Sequence, residues 1–150
     1  WSYDKIHRSL STPSIYNGLV FVGDYSGFIH CLDAETGQPY WVYDTKSHIW
    51  GSTMAGDGKV FFGTEDGDFV VLAAEKTLKV IRKVDMKAPV YSSPVAANGT
   101  IYIATQTHLY AIGKSGQAQA APTAPVVDAA AGVDAACEAM GETATEGAIR

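Results

Sequence analysis

Three tandem units, each near 40 residues and built from short Val/Ile/Phe/Tyr-rich runs cut by glycine turns, predict an all-β fold: a partial β-propeller. The turns Asn17-Gly18, Asp57-Gly58 and Asn98-Gly99 recur at spacings of 40 and 41 residues. Each leads into the same kind of strand, LVFVG (19–23), KVFFG (59–63) and TIYIA (100–104). No segment of residues 1–114 carries sustained helical spacing. Four short strands in a unit of this length match a propeller blade.

The elements are expected in a fixed order. An inner strand lies near STP (11–13), with counterparts at STM (52–54) and SSP (92–94). The Asn-Gly or Asp-Gly pair supplies the positive-φ residues of a tight hairpin into the second strand. The third strand lies in DYSGFIHCL (24–32), EDGDFVVL (65–72) and THLYAI (107–112). The outer strand is PYWVYD (39–44), and WSYD (1–4) repeats its end at an offset of 40. These segments make about three four-stranded blades, more closely two and three-quarters. Such a piece leaves apolar blade faces uncovered. The expectation is the C-terminal part of a larger propeller whose upstream sequence completes the last blade. Residues 1–114 form the blades. Residues 115–150 are 12 Ala in 36 with Pro122 and Pro125, a composition expected to be a disordered, acidic tail.

The stretch CLDAETGQPYW (31–41) concentrates polar and aromatic residues, yet turn chemistry explains most of it. Asp33 is expected to accept hydrogen bonds from backbone N–H groups just ahead of it. Gly37 is expected to take the left-handed conformation that closes the hairpin. Cys31 fits a small apolar position between blades, and Trp41 an outer-strand position packed on the neighbouring blade. The pattern small-x-Asp-x-x-Thr-Gly-x-x-x-Trp resembles the tryptophan-docking repeat of pyrroloquinoline-quinone-type (PQQ-like) propellers. Cys31, Asp33, Thr36, Gly37 and Trp41 carry it, and Trp1 is a remnant of the preceding copy. The next copy is degraded: Ala73, Thr77 and Ile81 align with Asp33, Gly37 and Trp41, and in the last copy Gly113 replaces the Asp.

Composition narrows the function classes. Residues 1–114 carry 10 Lys/Arg against 11 Asp/Glu, and the five acids and one Arg of the tail bring the chain to −5. No basic footprint for nucleic acid or an anionic membrane surface is present. No apolar run reaches the roughly 20 residues of a membrane span. Cys31 and Cys137 lie in unrelated segments, and a disulfide between them is not expected.

Two loop sets are expected to share one face of the disc. The connections between blades bring His7, Arg8, Ser47, His48, Trp50 and Lys87. The second-to-third-strand hairpins bring Asp24, Tyr25, Glu65, Asp66 and His108. Of these, His7, Arg8, Asp24, His48, Trp50, Glu65 and Asp66 are the candidate binding residues, weighed against ordinary solvated loops. In TEDGD (64–68), Glu65, Asp66 and Asp68 are oxygen ligands of the type Ca²⁺ takes, but Asp66-Gly67 is a standard turn. No nucleophile–base pair and no short-spaced metal pair stands out, and His30 reads as a sheet-face residue.

The PQQ-like resemblance implies two functions. The first is a non-catalytic module for binding or scaffolding in the periplasm or cell envelope, by analogy with propellers resembling the outer-membrane protein-assembly lipoprotein. Its ligand would be a protein or small molecule on the loop face. The second is the C-terminal part of a quinoprotein alcohol or sugar dehydrogenase. Such enzymes hold the quinone over a tryptophan plane with Ca²⁺, Glu, Asn and Asp, often beside paired cysteines. Here there is no Cys-Cys pair, and both asparagines sit in turns. No catalytic, quinone or metal site is therefore expected in this chain, and the non-catalytic reading leads.

Overall fold

A computed structural model describes residues 1–113, and the tail expected from residue 115 lies outside them. Among the described residues every regular element is a strand, and the strands form three antiparallel sheets. The first sheet runs β1 (Ser14–Tyr16), β2 (Leu19–Gly23), β3 (Phe28–Asp33), β4 (Pro39–Asp44). The second repeats it with β5 (Met54–Gly56), β6 (Lys59–Gly63), β7 (Asp68–Ala73), β8 (Val80–Asp85). The third has β9 (Val95–Ala97), β10 (Thr100–Ala104) and β11 (Leu109–Gly113). Asn17, Asp57 and Asn98 take φ of 47°, 49° and 51°, each followed by a positive-φ glycine, as the tight hairpins require.

The inner strands begin at Ser14, Met54 and Val95, near the small-residue segments as expected: Met54 ends STM, and Ser14 and Val95 directly follow STP and SSP. The residues just ahead of these strands bond sideways. The Thr12 N–H donates to Ser52 Oγ (2.8 Å), and the Ser52 N–H to Ser93 Oγ (2.7 Å). Ser11 Oγ donates to the Gly51 carbonyl at 2.6 Å. Side-chain hydroxyls thus tie each inner edge to the next sheet, and these N–H groups are not free for a ladder.

The outer strand of the second sheet corrects the sequence alignment. Trp41 pairs with Cys31, but Arg82, not Ile81, pairs with Val71. The turn after β7 is one residue longer than the turn after β3: the Asp33 N–H donates to Gln38 O, whereas the Ala73 N–H donates to Lys79 O. Tyr40 and Ile81 then fall at the equivalent register shift.

Strand alternation divides each sheet into two apolar faces. Leu19, Phe21, Ile29, Cys31 and Trp41 of the first sheet pack against Val60, Phe62, Val70 and Leu72 of the second. The other face of the second sheet presents Phe61 and Phe69 to Ile103 of the third. Trp41 closes the first junction, its ring 5.9 Å from Phe21 and its indole N–H donating to Glu75 O at 2.9 Å. Trp1 makes the matching bond to Ala34 O (3.2 Å). Its ring covers Gly37, where φ is +72° and any Cβ would lie 2.3 Å from the indole. The second junction is looser, with an open cleft of about 990 Å³ lined by Met54, Phe61, Val95 and Ile101 among others.

Trp41→Ala is expected to cost about 3–5 kcal/mol, because it empties a buried indole site. Glu35→Ala, at an exposed turn position, should stay within about 0.5 kcal/mol of the parent. Urea unfolding of both variants checks this, and equal small losses would contradict the packing role of Trp41.

Candidate functional site

The hairpin after β2 and the connection after β4 place the site. Each hairpin is closed by a polar side chain at an equivalent position: Asp24, Thr64 and Thr105. Asp24 Oδ1 accepts from the Phe28 N–H (3.1 Å), Thr64 Oγ1 from the Asp68 N–H (3.1 Å) and Thr105 Oγ1 from the His108 N–H (3.0 Å). Hairpin and connection are also stitched together. The Tyr25 N–H donates to Arg8 O, the Glu65 N–H to His48 O and the Gln106 N–H to Pro89 O. The two loop sets therefore meet on one face.

Asp24 is not a surface group, because the fold buries it completely. Its Oδ2 lies 3.2 Å from His7 Nδ1 and 3.2 Å from His30 Nε2, and accepts from the His7 N–H at 3.3 Å. His30 is itself buried, and its Nδ1 lies 3.1 Å from Tyr3 Oη. Burial alone would raise the Asp24 pKa. The donors from Phe28, His30 and His7 outweigh it and hold the carboxyl below its usual range. Val70 occupies the place of His30 in the second sheet, so this polar cluster belongs to the first sheet. Sequence reading missed Tyr3 and the partnership of His30. The available signal was a histidine at an apolar position of the repeat.

Around Tyr25 the loop face carries a stacked row. The His48 ring lies parallel to Tyr25 at 4.4 Å, and the Arg8 guanidinium stands 5.4 Å from its centre. Trp50 meets Tyr25 edgewise at 5.0 Å and Tyr91 at 5.8 Å. The Trp50 indole N–H donates to Glu65 Oε2 (3.0 Å). The Asp66 N–H donates to Ser47 Oγ (3.0 Å), which adds the second hairpin to the row. Trp50 and Tyr91 remain 37% and 41% exposed, so the row presents aromatic surface to solvent. Tyr91 was missed, although it repeats Trp50 at an offset of 41 residues. Lys87 and His108 stay outside this row: Lys87 pairs with Asp85, and His108 contacts Thr107 and Tyr110 of its own hairpin.

The residues of CLDAETGQPYW hold structural positions. Asp33 accepts from the Glu35 and Thr36 N–H groups, the Thr36 hydroxyl and the Tyr40 hydroxyl. Tyr40, then Thr36, pull its carboxyl down to about 2. Cys31 is fully buried, and burial pushes its thiol up to about 12. The chemistry of the donors does not fit a quinone–calcium centre. Glu65 is bonded to Trp50, and Asp68 is bonded to Lys83 at 2.6 Å. Among the described residues no group of three His, Cys, Asp or Glu is placed to hold a metal ion. Among the described residues no helix is long and apolar enough to cross a membrane.

Comparison with known proteins now adds to this geometry. The family model described as outer membrane protein assembly factor BamB matches residues 2–123. The chain belongs to this family of PQQ-type repeats. BamB of Nitrosomonas eutropha is 31% identical over 93 residues, which are 62% of this chain and 22% of that protein. The dehydrogenase subunit of a quinone alcohol dehydrogenase from Gluconobacter oxydans is 33% identical over 97 residues, 56% of this chain and 13% of that subunit. The chain thus spans a small part of the relatives it matches. The crystal structure of BamB from Moraxella catarrhalis superposes with a TM-score of 0.61 at 24% identity, covering 69% of this chain and 33% of that one. That likeness shows the propeller-type fold.

Asp24→Leu is expected to cost about 2–4 kcal/mol, because two imidazoles and two N–H groups lose their acceptor. The pH dependence has a definite sign. The Asp24 and Asp33 carboxyls sit below their ordinary range, Asp33 at about 2, so their contribution is complete above about pH 5 and is lost as pH falls through these lowered values. Melting temperatures should hold level from neutral pH to about 5 and drop below about 4. Asp24→Asn should start lower near pH 6 and lose less on acidification. An acid limb unchanged in that variant would contradict the role given to Asp24.

Proposed function

We propose that this chain is a non-catalytic binding module of a cell-envelope propeller, and that it engages a protein partner through the loop face. The observation that carries this reading is the exposed row of Arg8, Tyr25, His48, Trp50 and Tyr91. Tyr, Trp and Arg are the residue types that dominate binding energy at protein interfaces. Here they are prearranged on rigid hairpins, which lowers the ordering cost of association. Membership in a family described by a membrane-protein assembly factor supports both the envelope setting and a protein ligand. The periplasmic side of that envelope is the compartment we assign.

A second reading is favoured by the match to the Gluconobacter dehydrogenase subunit. In it the same blades would be scaffold within a quinoprotein dehydrogenase, with the reaction centre carried by other parts of the protein. The engagement of Glu65 with Trp50 and of Asp68 with Lys83 supports placing that centre elsewhere.

A photo-crosslinking residue at position 50, and another at position 59 in the Asp57-Gly58 hairpin, separate these readings. A discrete envelope protein captured through position 50 and lost in Tyr91→Ala, with no capture through position 59, is the expected result. Capture through neither position would overturn the binding role. Thermal stabilisation by pyrroloquinoline quinone with Ca²⁺ would favour the dehydrogenase reading.

A further inference from the structure

We propose that the cleft between the second and third sheets binds a small, flat, uncharged aromatic molecule of the indole class. This does not rest on the loop-face reading. The cleft is bounded by the hairpins at Asp57 and Gly99, at the opposite ends of the second strands from the loop face.

Strand pairing sets the two junctions in correspondence and shows why the cleft exists. Leu19, Phe21 and Trp41 of the first sheet correspond to Lys59, Phe61 and Arg82 of the second. On the facing sheets, Val60 and Leu72 correspond to Ile101 and Ile112. In the first junction the Trp41 indole is buried in one cluster with Leu19, Phe21, Val60 and Leu72. In the second junction no indole stands at that position. Arg82 is exposed, and Lys59 commits its ammonium to the Asp57 carboxylate at 2.9 Å and the Asp57 carbonyl at 2.8 Å. What remains is the cleft of about 990 Å³, walled by Met54, Phe61, Val95, Ile101 and Ile112. Leu72 is fully buried, whereas Ile112 in the same place one unit later is 48% exposed. The inner end of the seam differs as well. In the first junction Thr53 Oγ1 lies 2.7 Å from Ser14 Oγ and donates to Phe21 O at 3.1 Å. Pro94 takes the place of Thr53 in the third unit and has no hydroxyl to make such a tie.

The filled junction indicates the class of ligand. There the seam accepts a planar ring beside a phenylalanine, with the Phe21 and Trp41 centroids 5.9 Å apart and tilted by 40°. A ring in the second junction would gain the same contact with Phe61 and cover Ile101 and Ile112. Residues 114–150 contain no Phe, Trp or Tyr, so that part of the sequence carries no such ring. The two charged residues lining the cleft, Asp57 and Lys59, are paired with each other, which favours an uncharged ligand. Small-molecule sites are apolar clefts of about 300–1,000 Å³, and this one lies in that range.

The test uses the full 150-residue chain and indole as the probe, with the non-planar cyclohexanol as competitor. Side-chain methyl resonances are followed by NMR. The expected result is saturable ring-current shifts at the Met54, Val95, Ile101 and Ile112 methyls. The Leu19, Val60 and Leu72 methyls of the filled seam should not move, and cyclohexanol should not displace indole. Arg82→Trp restores an indole at the register position of Trp41, and should raise the melting temperature and suppress the shifts. Ile112→Glu, at an exposed wall position, should keep the dispersed methyl spectrum and weaken indole roughly fivefold or more, because a carboxylate would lose water against the ring. Shifts that do not saturate, equal shifts in both seams, displacement by cyclohexanol, or unchanged binding in either variant would each overturn the proposal. Protein capture through position 59 would overturn it too, by placing a partner chain in the cleft. Loss of capture through position 50 with indole binding intact would remove the loop-face role and leave this site standing.

Discussion

At the first junction Trp41 reaches across to Glu75 O while Phe21, Ile29 and Cys31 meet Val60, Phe62 and Val70. A four-stranded sheet of this kind has two apolar faces and cannot cover either one alone. Each junction therefore does for this chain what a single core does for a globular domain. The Ser and Thr contacts at the inner edge and the indole contact at the outer edge hold the two ends of the same junction. Between them, apolar burial supplies most of the free energy. The loop face inherits its rigidity from this arrangement. Tyr25 and His48 stack because their hairpin and connection are anchored to a packed seam.

Much of the fold was legible because a period is a strong signal. The Asn-Gly and Asp-Gly turns marked the hairpins, and period-two apolar runs marked the second and third strands. The fourth strand was legible in the first unit, where Trp41 and Asp33 are present. In the second unit it was displaced by one residue, because nothing in EKTLKV reveals how many residues a turn will use. The inner strands lie where the small-residue segments placed them, but the role of those segments was not legible. Their serines and threonines look like strand residues by size, and their hydrogen bonds run to another sheet, a partner that sequence does not name.

The candidate site was legible in outline. Arg8, His48, Trp50, Glu65 and Asp66 do gather, since repeat topology places both loop sets on one face. Asp24 was read as a loop-face binding residue and is instead buried, because its carboxylate stands where the other hairpins have a closing threonine and draws in His7 and His30. Tyr3 and Tyr91 escaped notice as single aromatics with no local motif. A side chain whose meaning depends on what lies 27 or 41 residues away is visible only once the units are superposed.

The extra residue in the turn between β7 and β8 has a wider meaning. Strand pairing is unchanged by it, yet the residue at the outer-strand position that pairs with the third strand changes from Trp41 to Arg82. Turn length thus works like a reading frame for the rim. An insertion of one codon there rewrites the chemistry of the outer surface while the sheet beneath keeps its register. Blades that began as copies can diverge in this way without first relearning how to fold.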